Sequence, residues 1–185
     1  MEFNIRNNLI CFGKNNPKRR GEKMIFIGVI ADKKEENDLE KMLKMQIESI
    51  GLKSTIIRIN KKSIENIKNI RIELVIMNKN IEEESMQELE KILRTAKYFI
   101  VNSDVIQMEK IPRTNSTVIT YGFGNKCTVT ASSTEEENVM VCLQRNICGI
   151  KNTRIEPQEI KMKKGLNTGN YYLEMAVATI KLLYS

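Results

Sequence analysis

Apolar residues fall along the chain in two alternating textures, short β-branched runs and longer stretches spaced by threes and fours. Ile25–Ile30 (IFIGVI) is a run of the first kind and predicts a buried strand. After the polar stretch ADKKEEND, Leu39, Met42, Leu43, Ile47 and Ile50 recur at steps of three and four with charges between them. That spacing predicts an amphipathic helix, and Gly51 stands where glycine commonly closes one. Ser54–Ile59 predicts a second strand, residues 60–71 a lysine-rich loop with a short helix at most, and Leu74–Met77 a third strand. Glu82–Glu84 place acids at a helix start, where the dipole favours them, and Met86, Leu89, Leu93 and Ala96 mark the inner face that follows. Tyr98–Val101 and Val118–Tyr121 read as the fourth and fifth strands.

Strands that alternate with helices imply an α/β fold, a mostly parallel, P-loop-like three-layer sheet with helices on both faces. Past Gly122 the texture changes. Cys127–Ala131, Val139–Leu143 and Ile147–Ile150 are short alternating segments joined by polar turns, which predicts a small antiparallel β appendage. A helix from about Tyr171 closes the pattern, with Tyr172, Met175, Ala176, Thr179 and Leu183 on one face.

A length of 185 residues suits one domain. The net charge of +7 is unevenly spread: residues 1–23 hold six cations and two acids. The chain therefore divides into a basic N-terminal arm or linker, 1–23, and an α/β domain, 24–185. The arm has few aromatics to stack on bases, so it argues against nucleic acid, and the same reading disfavours a membrane surface. No apolar run reaches the length of a membrane span, and the first residues lack a secretory pattern. A cytoplasmic location is expected. Cys11, Cys127, Cys142 and Cys148 form no CxxC pair and read as reduced thiols, with no metal site expected. There is no histidine in the chain, which removes histidine bases, acids and metal ligands, and serine–histidine or cysteine–histidine nucleophiles.

The connection after the first strand is where many α/β proteins hold phosphate on backbone N–H groups and a helix dipole. Here it reads Gly28-Val29-Ile30-Ala31-Asp32-Lys33-Lys34-Glu35-Glu36-Asn37. The first glycine is kept as Gly28. Lys34 stands at the second glycine, Glu35 at the lysine that would reach a terminal phosphate, and Glu36 at the hydroxyl that would hold magnesium. Glutamates there repel a triphosphate at a cost of a few kcal/mol per close pair, on the order of 4 at an effective dielectric of 20. The expectation is a degenerate phosphate loop over Gly28, Ala31, Asp32, Lys33, Lys34, Glu35 and Glu36, with the two lysines leaving room for a small anionic ligand.

Taken together, GVIADKKEEN (28–37), NKNIEEESMQELEKILRTAKYFIVNSDV (78–105), VITYGFGNKCTVTASS (118–133) and GNYYLEMAVATI (169–180) resemble the central ATP-binding domain of the Mur ligase superfamily. Those enzymes join a carboxylate to an amine through an acyl phosphate made with ATP. The resemblance spans residues 24–185. It implies matches of Asn78 to the asparagine ending the family's "TN" strand, of Asn102 and Asp104 to its "VNADD" segment, and of Asn170 to an asparagine of its closing motif. These four residues form a candidate ligand crevice.

The departures fall on functional positions. The phosphate loop is acidic, and Lys79-Asn80-Ile81-Glu82 replaces a histidine-bearing segment. Little room remains for the family's magnesium-binding glutamate and carbamylated lysine, and Leu173 replaces a second asparagine. ATP and magnesium, expected in the family, are not expected here. The reading is a non-catalytic Mur-ligase-like domain, a pseudoenzyme serving as a binding or scaffold module with a protein partner. The family places it near peptidoglycan, cell-wall or spore-envelope synthesis. The competing reading is a small-ligand-binding, or nucleotide-binding, fragment of an ATP-dependent carboxylate–amine ligase whose other domains come from elsewhere.

Overall fold

The computed structural model describes residues 24–67, 69–165 and 171–185. Its strands are β1 Met24–Ile30, β2 Lys53–Arg58, β3 Leu74–Met77, β4 Tyr98–Asn102, β5 Thr117–Tyr121, β6 Val129–Thr134, β7 Asn138–Leu143, β8 Ile147–Cys148, β9 Arg154–Ile155 and β10 Gln158–Lys163. Its helices are α1 Lys33–Ile47, α2 Ile64–Ile67, α3 Met86–Leu93 and α4 Tyr171–Tyr184. Eight strands form one sheet in the order β10-β7-β6-β5-β4-β3-β1-β2. Neighbours from β2 to β6 pair in parallel, and β6, β7 and β10 pair antiparallel. The parallel order 2-1-3-4-5 is doubly wound, and its winding reverses between β1 and β3.

The fold is the expected α/β architecture, with one redistribution. The segments expected in an appendage at 127–131 and 139–143 extend the main sheet, because β6 joins β5 through the pair Tyr121↔Val129. The separate two-stranded sheet is β8 with β9. Strand β10 (QEIKMK) gave little apolar signal because it is an edge strand whose outward positions are charged.

Alternation along β1 sets the two faces of the sheet. Ile25, Ile27 and Val29 enter one core with Leu39, Met42, Leu43 and Ile47 of α1 and the apolar residues of α4. On the opposite face Ile30, Val75, Met77, Phe99 and Val101 pack with Ile64 and Ile67 of α2 and Leu89, Ile92 and Leu93 of α3. Gly28 sits inside β1 on this second face. A Cβ there would stand 2.6 Å from Ile59 Cδ1 and 3.3 Å from Ile72 Cγ2, so this glycine answers to strand packing.

Helix α4 differs from the expected one-faced helix. Every residue from Leu173 to Ile180 is buried. The helix lies against α1 and also touches β4, β5, β6, β7 and β10, so it has no solvent side along this stretch. Ala176 and Ala178 let those neighbours approach closely. The loop after β8 covers the far end of the helix: Ile150 N donates to Leu183 O at 2.9 Å, and Tyr98 Oη donates to Cys148 O at 2.7 Å.

Burial also sets an alkaline limit. Tyr98 is pushed up to about 12, chiefly by burial and then by Cys148 and Glu73, and burial likewise drives Tyr121 well above its ordinary value. In the unfolded chain tyrosines ionise near 10. Above that pH the unfolded state binds fewer protons than the folded one, so stability present below about pH 10 falls as pH rises towards 12. With no histidine in the chain, the expected urea midpoint is level from about pH 6 to 8 and falls steeply beyond about 10. A midpoint unchanged at pH 11 contradicts this account.

Candidate functional site

The carboxyl ends of β1, β3, β4 and β5 meet at one edge of the sheet, where doubly wound folds place ligands. The connection from β1 to α1 is only Ala31 and Asp32. Lys33, Lys34, Glu35 and Glu36 form the first turn of α1, in place of the loop expected over these positions. Local chemistry explains this. Asp32 is the N-cap residue, and its side chain and that of Glu35 form a reciprocal capping box, with Asp32 N donating to Glu35 Oε2 at 3.3 Å. The D-x-x-E spacing starts the helix as soon as the strand ends.

Long-range pairs fix this acidic turn in place. Glu36 is buried, and its Oε2 lies 3.1 Å from Nε of Arg58 at the end of β2. The same guanidinium donates to Asn37 Oδ1 at 2.6 Å. Lys79, just past β3, donates to Asp32 Oδ1 at 2.8 Å. That hydrogen bond is the main reason its ammonium is held above the ordinary lysine value, and Glu36 and Glu35 add to it. The Lys79–Asp32 pair is solvent-exposed and worth about 0–1 kcal/mol. Its consequence is positional. The positive end of the α1 dipole, the usual anion seat, already faces Asp32, Glu35 and Glu36. A triphosphate cradle needs a run of free backbone N–H groups with a lysine and a hydroxyl beside them, and a two-residue connection into a self-capped helix does not supply one.

Beneath this turn lies a closed polar network. Asn78 and Asn102 are buried at the ends of β3 and β4, and Tyr121 at the end of β5 is buried as well. Asn102 Nδ2 donates to Asn78 Oδ1 at 2.6 Å, and Tyr121 Oη donates to the same oxygen at 3.0 Å. Asn102 Oδ1 accepts from Asp104 N at 3.1 Å, and Asn78 N donates to Ile30 O at 2.8 Å. Three parallel strands are thereby tied at one level.

Asp104 is exposed and caps the turn after β5. Its Oδ2 accepts from Phe123 N at 2.7 Å. Gly122 in that turn has φ 151°, and a Cβ there would lie 2.7 Å from the Asp104 carboxylate, so a glycine is needed on both counts. Phe123 is half exposed and packs edge-on against Tyr171 and Tyr172 at ring-centre distances of 6.4 and 5.5 Å.

The expected crevice residues thus separate. Asn78 and Asn102 come together inside the protein, Asp104 serves an adjacent turn, and Asn170 lies outside the described residues. The basic arm 1–23 lies outside them too. Sequence reasoning missed Tyr121, which reads as an ordinary strand residue, and Arg58 and Lys79, whose carboxylate partners are far away in the chain. Among the described residues, no group of three or more His, Cys, Asp or Glu is placed to hold a metal ion, and no helix is long and apolar enough to cross a membrane. Compared with protein-family models, characterised proteins and solved structures, the chain finds no match.

Proposed function

We propose that this chain is a non-catalytic Mur-ligase-like α/β domain that acts as a binding or scaffold module for a protein partner. The observation that supports this reading is the acidic, self-capped start of α1, with Asp32, Glu35 and Glu36 at the helix N-terminus where α/β folds commonly seat a phosphate. Phosphoryl transfer relies on cations placed where charge develops, and Arg58 and Lys79 are already turned onto the domain's own carboxylates. The setting near cell-wall or spore-envelope synthesis, in the cytoplasm, comes from the sequence resemblance. The half-exposed Phe123, backed by two tyrosines, is an apolar contact such a partner could use.

Titration calorimetry with Mg-ATP tests the reading, on the native chain and on the triple variant Lys34→Gly/Glu35→Lys/Glu36→Thr, which restores the family's residue types. Neither is expected to bind at millimolar nucleotide. The variant is expected to lose about 2 kcal/mol of stability, since it breaks the capping box, the buried Glu36–Arg58 pair and a helical position at once. Saturable binding by the native chain tighter than about 100 μM favours instead a ligase fragment that works with separately supplied domains.

A further inference from the structure

Two cavities on the α2/α3 face meet along residues 80–82. The first, of about 440 Å³, has Ile30 and Ile59 at its base and Ile81 at its side, with Lys61, Lys62 and Lys79 around it and Glu82 as its one carboxylate. The second, of about 490 Å³, is lined by Met77, Ile81, Met86 and Ile106, with Glu82, Glu83 and Lys110 at its rim. Each falls in the size range of small-molecule sites, roughly 300–1,000 Å³. They lie beside the carboxyl ends of β1, β2 and β3, where the winding of the sheet reverses. The acidic start of α1 lines neither.

Charge gives the pair of cavities a direction. The first carries three lysines against one glutamate, the second two glutamates against one lysine. Lys61 is held by Glu82 at 2.9 Å and Glu84 at 2.7 Å, and Lys79 by Asp32 at 2.8 Å. Lys62 is therefore the lysine of the first cavity with no carboxylate partner among the described residues. We infer that the first cavity binds an amphipathic organic carboxylate, its apolar body on Ile59 and Ile81 and its carboxylate on Lys62. The apolar floor supplies area removed from water, and the unpaired ammonium supplies the sign preference. This site lies beside the acidic turn of α1 and touches it only through Lys79, which is held by Asp32, and it stands whether or not ligase chemistry is lost.

Decanoate, decanol and decyltrimethylammonium serve as probes on the whole chain, followed by calorimetry and by amide shifts in ¹⁵N-labelled protein. Decanoate is expected to saturate below about 1 mM, with shifts centred on residues 59–62 and 80–82. Decanol and the ammonium probe are expected to bind at least about tenfold more weakly, and Lys62→Glu to weaken decanoate by about tenfold. Ile81→Asn removes apolar floor and should weaken it too; Lys62→Glu, at an exposed position, decides the matter should that variant fold poorly. Equal binding of all three probes, decanoate binding that survives Lys62→Glu, shifts centred elsewhere, or no saturation at about 5 mM overturns the inference.

Discussion

Asn102→Asp is expected to lower stability at pH 7 by about 3 kcal/mol, and acid is expected to return part of the loss. The native amide donates to Asn78 Oδ1 at 2.6 Å from a fully buried position. A carboxylate there has no proton to give, faces an oxygen that also accepts from Tyr121, and is charged at a fully buried position. Its folded-state pKa is raised above the unfolded value near 4. The charge part of the penalty is therefore absent below the unfolded value, grows as pH rises from there, and is complete above the folded one. Tyr121→Phe is the matched control. It removes one of two donors to the same oxygen and should cost only about 1 kcal/mol. Urea unfolding of the three proteins at pH 4.5 and 7 separates the outcomes. A loss under about 1 kcal/mol for Asn102→Asp would mean that Asn78 can turn its amide and accept the charge.

Leu173→Ala and Met175→Ala are each expected to cost about 2–5 kcal/mol. Two residues apart on a helix means about 200° around its axis, so an ordinary surface helix could not bury both. In α4 both are buried, at 2% and 0% exposure, because α1 lies against the helix while the strands from β4 to β10 pass its other sides. Lys41→Ala on the exposed side of α1 should change stability by no more than about 0.5 kcal/mol. Thermal or urea unfolding reads all three. A small effect at either α4 position would show that the helix has a free side.

Much of this architecture was legible in the sequence. Leu74–Met77 stands as read, since a buried parallel strand is a plain apolar run between polar segments. The amphipathic stretch that ends at Gly51 stands too, although its last turn is a tighter helix over Glu48–Ile50. The start of α1 was written in the chain as Asp32-Lys33-Lys34-Glu35, a helix-capping signal. The likeness to the phosphate-binding connection of many α/β proteins drew these residues into a loop instead. Whatever depends on distant partners left no local trace. Lys79 meets Asp32 from 47 residues away and Glu36 of α1 meets Arg58 at the end of β2, and no periodicity encodes such meetings. The same holds for α4. Its alanines and apolar residues read as one inward face, because all-round burial comes from α1 and from strands distant in the chain that close on the helix.

The position of α4 in the chain bears on how the domain is made. Among the described residues all ten strands precede this helix, yet it supplies a large share of the core on one side of the sheet. During synthesis the strands emerge first, and their apolar face towards α4 stays open to water, or to any other greasy surface, until residues 171–184 have left the ribosome. Sheet and helix then close over contacts distant in sequence, which slows folding. A nascent chain stalled before Tyr171 should therefore engage holding chaperones more strongly than one stalled well past Tyr184, although the two differ by little more than one helix.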